Sequence, residues 1–223
     1  MKFNYFHLMP WTEIEEPDQD WPVANSKFVP DRATALYRTY IDTMVYAEEC
    51  GFDWIGCNEH HFSPYGLVPL LNPIRVAEEY AMLDVMSGGR LIAGFMRGIP
   101  HEYVAYNVAP GESWERLDEA SELILKAWTE PEPFGWEGKH YKYRAVSIWP
   151  RPIQQPHPPI LMSASSPESA RFAARHRAKM GMVMLTDIEA AKDCIRIYRE
   201  TAREHGWEPA LDDILIGAHT CVA

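Results

Sequence analysis

The stretch Phe52-Asp53-Trp54-Ile55-Gly56-Cys57, continued by Asn58-Glu59-His60-His61-Phe62, joins a short apolar run to two histidines and a carboxylate. A run of this length bounded by Gly51 reads as a strand, which puts the polar cluster at its C-terminal tip. In a parallel α/β fold that tip is where ligands bind and chemistry takes place. Histidine is the side chain most readily poised to exchange protons near neutral pH. At such a tip His60 or His61 would exchange a proton with a bound molecule or hold one of its oxygens. The plainer reading is that both histidines are structural and bond to backbone carbonyls.

Outward from this strand, β and α signals alternate. Residues 2–9 read as a first strand, followed by a polar, Pro-rich loop over 10–30. Asp31 is a good N-cap for a helix to about Glu49, with Leu36, Tyr37, Tyr40, Ile41, Met44 and Val45 at helical spacing and Gly51 closing it. After the histidines come a helix over 74–86, a strand over 90–95, a helix over 112–128 with Trp114, Leu117, Ala120, Ile124 and Trp128 on one stripe, and an aromatic, Pro-rich excursion over 131–159. A strand over 160–163, a helix over 167–177, a strand over 180–185, a helix over 188–205 and a strand over 214–222 follow. Such a series makes a parallel sheet or barrel. No GxGxxG follows the first strand, which argues against a Rossmann dinucleotide site.

Composition bounds the function. With 223 residues, 47% hydrophobic and 24% charged, the chain suits one soluble globular domain spanning 1–223. A formal charge of -11 disfavours nucleic acid and anionic membranes as partners. Cys50, Cys57, Cys194 and Cys221 form neither a CxxC pair nor a zinc-like cluster, so a reduced cytoplasmic protein is expected. The N-terminus does not read as a signal peptide, and no apolar run approaches a membrane span.

A second constellation is Ser163-Ala164-Ser165-Ser166-Pro167-Glu168-Ser169, between a strand and a helix. Ser166 is a natural N-cap and Pro167 a natural first helical residue. Hydroxyls and N–H groups at a helix N-terminus suit an anion such as phosphate, although an ordinary capped helix looks the same in sequence. Arg97 ends another strand and would reach the same phosphate with paired donors, where the plain alternative is a surface salt bridge. His101-Glu102 opens like a zincin helix, but Ala105 stands where a second histidine is needed, and no metal is expected. Ser87-Gly88-Gly89-Arg90 reads as a helix-to-strand turn at the non-catalytic face, supported by Asp84 and Arg90. Trp136, Tyr141, Tyr143 and Trp149 either cover a substrate pocket or pack across the outside of the barrel.

Assembled, these residues resemble the bacterial luciferase-like family of flavin-dependent monooxygenases. The resemblance runs through 47–54, Asn58-Glu59-His60-His61-Phe62, 72–79, 83–90, Gly94-Phe95-Met96-Arg97-Gly98, 156–160 and Ser165-Ser166-Pro167-Glu168-Ser169. It implies a TIM (β/α)8 barrel that holds reduced FMN at its C-terminal mouth and uses O2 to oxidise a hydrophobic small molecule. A separate flavin reductase would supply the reduced FMN, and homo- or hetero-dimers are common in such a family. By the same resemblance His60 is the catalytic residue, Arg97, Ser166 and Ser169 contact the flavin phosphate, Glu59 and His61 support the site, and Met96 packs beside the flavin. Two alternatives stay open: a deazaflavin (F420)-dependent oxidoreductase of the same superfamily, and a non-catalytic flavin-binding subunit. A zinc hydrolase is a distant fourth.

The chain also departs from the family. Tyr65-Gly66-Leu67 runs almost directly into Val68-Pro69-Leu70-Leu71-Asn72-Pro73, where the family pattern has a helix and a strand. That is about one βα unit of roughly 30 residues. The seventh strand is still in progress at Ala223. An incomplete barrel is therefore expected, lacking the third-strand region and the eighth strand. Either the natural protein carries residues that this sequence omits, or the chain is a truncated, inactive member of the family; the intact flanking motifs favour omission.

Overall fold

The computed structural model describes residues 1–12, 28–58, 72–182, 185 and 187–217. Its elements in chain order are β1 (Asn4–His7), α1 (Pro30–Glu49), β2 (Trp54–Cys57), α2 (Pro73–Met86), β3 (Ala93–Phe95), α3 (Pro100–Ala105), α4 (Ser113–Thr129), β4 (Phe134–Glu137), β5 (Lys142–Val146), β6 (Ile160–Ser163), α5 (Pro167–Arg175), β7 (Lys179–Met182), α6 (Ile188–Glu204) and β8 (Ile214–Ile216). They fall into two compact units, Met1–Leu70 with Gly98–Pro110, and Leu71–Arg97 with Gly111–Ala223.

In the first unit β1 and β2 pair in parallel, from Asn4 opposite Trp54 to His7 opposite Cys57. The Asp53 carboxylate accepts from the Phe3 N–H at 2.7 Å and fixes where the pairing starts. Helix α1 buries Ala33, Tyr40 and Ala47. It begins at Pro30, with the N-cap at Val29, two residues before the expected Asp31 cap, and Val29 makes no side-chain bond. Proline favours this outcome, since its fixed φ and missing N–H cost nothing at the first helical position. Asp31 instead places a carboxylate in the first turn, near the positive end of the helix dipole. Gly51, at φ 87°, ends the helix as expected.

The second unit is built on a parallel sheet in the order β3-β6-β7-β8. Phe95 lies opposite Met162, Ser163 opposite Gly181, and Met182 opposite Ile216. Trp128, Leu123, Met162, Met180 and Tyr198 are the largest buried apolar side chains. Small residues set the helix spacing. Ala77 and Ala81 let α2 approach α4, where the Trp128 indole donates to the Ala77 carbonyl at 2.9 Å, and Ala170, Ala173 and Ala174 do the same for α5. The Tyr198 hydroxyl donates to the Ala178 carbonyl at 2.7 Å, and burial pushes its pKa up. Among the described residues the strands form no closed sheet, as an incomplete barrel requires. The junction around Leu67 and Val68 lies outside the described residues.

The excursion over 131–159 is more ordered than its composition implied. Strands β4 and β5 form an antiparallel hairpin across Gly138, clamped onto α4 by Glu119. That carboxylate accepts from the N–H groups of His140 at 2.8 Å and Tyr141 at 2.9 Å, and from the Trp136 indole at 3.1 Å. A Cβ at Gly138 would overlap it. The turn after α2 behaves as its sequence indicated, with Gly88 and Gly89 both at positive φ. The Asp84 backbone carbonyl supports that turn, but its fully buried side chain reaches elsewhere. It accepts from Ile153 N–H, Gln154 N–H and the Gln154 side-chain amide at 2.8, 3.0 and 2.6 Å.

Candidate functional site

Strands β3 and β6 are parallel neighbours, so the chain leaves both at the same edge of the sheet. Arg97 follows β3 by two residues, and Ser163-Ala164-Ser165-Ser166 leads from the end of β6 into α5. The pairing of Phe95 with Met162 therefore brings the loops carrying Arg97 and Ser166 out side by side. This is the C-terminal edge, where α/β folds bind ligands.

Arg97 is exposed but held. Its guanidinium donates to the hydroxyl of Ser113 at 3.3 Å, and its carbon lies 4.6 Å from the centroid of the Trp114 ring. Ser113, the first residue of α4, is buried. Trp114 turns the same ring toward Phe172 on α5, with centroids 5.0 Å apart. One turn on, the Phe172 ring lies tilted 4.5 Å from that of His176, whose Nε2 lies 2.7 Å from the Asp118 carboxylate of α4. Aromatic and polar contacts together fix α5 against α4, and Arg97 rests on the first of them.

At the start of α5, Ser166 and Ser169 cap each other. The Ser166 hydroxyl accepts from the Ser169 N–H at 3.2 Å, while the Ser169 hydroxyl accepts from the Ser166 N–H at 2.9 Å. Pro167 occupies the first helical position, as its sequence position predicts. The two hydroxyls differ in what they can offer. Ser169 is buried, and its oxygen also lies within hydrogen-bonding distance of the Ser166 carbonyl and hydroxyl. Ser166 is exposed, so its O–H can turn outward while its oxygen keeps the cap.

The donor set suits an anion: a fixed cation with planar donors, an exposed hydroxyl and a helix N-terminus at one sheet edge. A phosphate fits this chemistry, and a flavin phosphate at Arg97, Ser166 and Ser169 is what the family resemblance implies. His60, Glu59 and His61 lie outside the described residues. Glu102, read with His101 as the opening of a zincin motif, caps α3 instead by accepting from the Ile99 N–H at 2.8 Å. Trp136, Tyr141 and Tyr143 pack against the core of the second unit, burial pushing the two tyrosine hydroxyls up, while Trp149 is exposed. Ser113 and the role of Trp114 were not evident from sequence. Helical periodicity put Trp114 on the apolar stripe of α4 and could not show a guanidinium above it.

The luciferase-like monooxygenase family profile matches residues 66–223. Over 179 residues the chain is 34% identical to the uncharacterized protein y4wF of Sinorhizobium fredii, covering 67% of this chain and 52% of that one. It is 28% identical over 161 residues to the oxygenase component of a flavin-dependent trigonelline monooxygenase from Acinetobacter baylyi, covering 70% and 44%. An F420-dependent glucose-6-phosphate dehydrogenase of Intrasporangium calvum is also 28% identical, over 193 residues, covering 70% and 54%. Among solved structures, the monooxygenase RslO1 from Streptomyces bottropensis superposes with a TM-score of 0.78 at 28% identity, covering 96% of this chain and 70% of that one. The chain spans about half the length of the curated relatives it matches.

Proposed function

Because the chain belongs to the luciferase-like monooxygenase family, we propose that it is a flavin-dependent monooxygenase, using reduced FMN and O2 to oxidise a hydrophobic small organic substrate. The observation that carries this reading is the set of anion donors at the C-terminal sheet edge, with Arg97 seated on Trp114 and the Ser166 cap on the loop after the neighbouring strand. Arg97 and the Ser166 hydroxyl would hold the phosphate, and Ser169 would keep Ser166 in place. His60, matched to the family's catalytic histidine, would pass a proton to the reacting oxygen. When bound, reduced FMN supplies the oxygen chemistry, while the chain supplies orientation and proton transfer. The similarity to an oxygenase component supports delivery of reduced flavin by a separate reductase.

A second reading, an F420-dependent oxidoreductase, rests on the similarity to the F420-dependent dehydrogenase. The two separate in one set of titrations. FMN, riboflavin and F420 are titrated into the protein, and turnover is followed with and without O2. The monooxygenase reading expects FMN to bind more tightly than riboflavin, because only FMN carries the phosphate, and turnover to require O2. Equal affinity for FMN and riboflavin, or hydride transfer from F420 under anaerobic conditions, overturns it. Binding of FMN with no substrate oxidised would favour a non-catalytic subunit.

A further inference from the structure

Beside the proposed phosphate donors lies a side chain that can itself take up oxygen. Met96 stands between Phe95, the last residue of β3, and Arg97. Phe95 is buried and turns toward Tyr80 of α2 and Trp128 of α4, with ring centroids 6.1 and 5.9 Å away. Side chains alternate along a strand, so Gly94 and Met96 belong to the opposite face. The Met96 methyl lies 3.7 Å from the point where a Cβ on Gly94 would stand. The thioether thus folds back over the face away from α2 and α4, in the room that Gly94 leaves.

Exposure and position give opposite orders for the oxidation of the methionines. Met86 is 76% exposed, Met82 48% and Met96 44%, while Met9, Met162, Met180 and Met182 are buried. An oxidant in free solution follows exposure, so it reaches Met86 first and Met96 last of the three. Met82 and Met86 lie in the C-terminal half of α2, which the turn at Gly88 and Gly89 joins to the start of β3. They therefore lie toward the opposite edge of the sheet from Arg97. A phosphate held by Arg97 would tether the flavin ring within one ribityl chain of Met96, and tethering raises the effective concentration of a reacting partner by orders of magnitude.

We infer that the Met96 thioether is a modification site: with no organic substrate present, it takes the oxygen in the substrate's place and becomes the sulfoxide. The sulfur forms a bond to one atom of O2 with one of its own electron pairs. The O–O bond breaks, and the second oxygen atom leaves as water with two electrons and two protons from reduced FMN, which is left oxidised. This rests on the proposed function and deepens it by naming the group that competes with the substrate. A thioether is polarisable and unbranched, so it can swing toward a reacting oxygen, and the sulfoxide it becomes is polar where the methionine was apolar.

The test uses the whole chain in excess over FMN that has been reduced with hydrogen over palladium. The mixture is aerated in the dark with catalase present, so that neither photosensitised oxidation nor peroxide in solution contributes. A second sample receives hydrogen peroxide alone, and a third receives reduced riboflavin in place of FMN. Peptide mass spectrometry gives the sulfoxide fraction at Met82, Met86 and Met96, and fluorescence titration gives the Kd of each flavin. Hydrogen peroxide should oxidise Met86 ahead of Met96. Reduced FMN should reverse that order, raising the ratio of Met96 to Met86 sulfoxide about tenfold or more, and riboflavin, with no phosphate to anchor it, should raise it far less. Met86 still ahead of Met96 with reduced FMN overturns the inference. If that protein nonetheless binds FMN more tightly than riboflavin, the cofactor reading survives; if it does not, both fall. Met96 ahead of Met86 with hydrogen peroxide alone would trace its reactivity to free solution and also overturn the inference.

Discussion

The guanidinium of Arg97 lies 4.6 Å from the centroid of Trp114, and that contact ties the loop after β3 to the first turn of α4. The ring also touches Phe172 of α5, so the arginine and the helix that opens with Ser166 share one aromatic support. A phosphate site made from two loops needs both held in one geometry before the ligand arrives, since ordering them on binding would weaken affinity. At the proposed phosphate site Trp114 would meet that need without being charged.

Separate substitutions distinguish the cation from its support. Arg97→Ala removes charge-assisted hydrogen bonds of about 1.5–3 kcal/mol, so the Kd for FMN should rise about tenfold to a hundredfold while the Kd for riboflavin hardly changes. Trp114→Leu removes a cation–π contact of about 0.5–1 kcal/mol and loosens α5, a few-fold effect on FMN that Trp114→Phe should largely restore. Fluorescence titration with the two flavins checks this. An Arg97→Ala protein that still prefers FMN to riboflavin as the wild type does would remove Arg97 from the phosphate site.

At Ser166 the cap and the ligand contact can be pulled apart. Aspartate is as good an N-cap as serine and suits the positive end of the helix, so Ser166→Asp should leave the melting temperature unchanged or slightly higher. The same carboxylate would repel a phosphate, and FMN affinity should fall at least about tenfold. Ser166→Ala should instead lower stability by about 1 kcal/mol through the lost cap. FMN binding undiminished in a stable Ser166→Asp protein would mean that the phosphate lies elsewhere.

What could be read from sequence divides along physical lines. The strand Ile160–Ser163 and the cap at Ser166 were legible because each is a local decision: a short apolar run, then a hydroxyl and a proline. Helix α1 began two residues early because Pro30 outweighs Asp31 as a start signal. The hairpin of β4 and β5 was invisible because what holds it is a single carboxylate on a helix upstream, Glu119, which no local pattern announces. The six residues of α3 are too few for periodicity to reveal. The support beneath Arg97 was missed for the same reason as the hairpin, since contacts between distant segments have no signature within either.

Glu119 makes the hairpin acid-sensitive. Burial pushes its carboxyl up, but the bonds from His140, Trp136 and Tyr141 outweigh that effect and leave its pKa below the ordinary 4.5. A depressed carboxyl contributes stability that is complete above the unfolded value and is lost as pH falls through the folded one. The wild type should therefore be most favoured over Glu119→Gln above about pH 5, by about 1–2 kcal/mol, and the difference should shrink toward pH 3. Urea midpoints of both proteins across that range, with Trp136 emission reporting on the hairpin, check the sign. A gap that widens on acidification would mean that the carboxylate does not clamp the hairpin.

Asp84 offers the sharpest separation of stability from binding. Its carboxylate is fully buried and takes two backbone N–H groups and one amide from Ile153 and Gln154. Gln154 in turn donates to the Leu91 carbonyl at 2.9 Å, so the latch fixes the entry of β3, at the far end of that strand from Arg97. Asp84→Ala leaves the N–H groups of Ile153 and Gln154 and one amide hydrogen of Gln154 without their acceptor and should cost about 2–3 kcal/mol. Asp84→Asn keeps the shape but turns an N–H toward at least one donor, so its cost should fall between the alanine variant and the wild type. Neither change touches Arg97 or Ser166, the proposed phosphate donors, and at a temperature where the variants remain folded both should bind FMN as the wild type does. Urea unfolding and FMN titration on the same samples test the two halves together. Asp84→Asn as stable as wild type would show that the latch works by packing rather than by accepting hydrogen bonds.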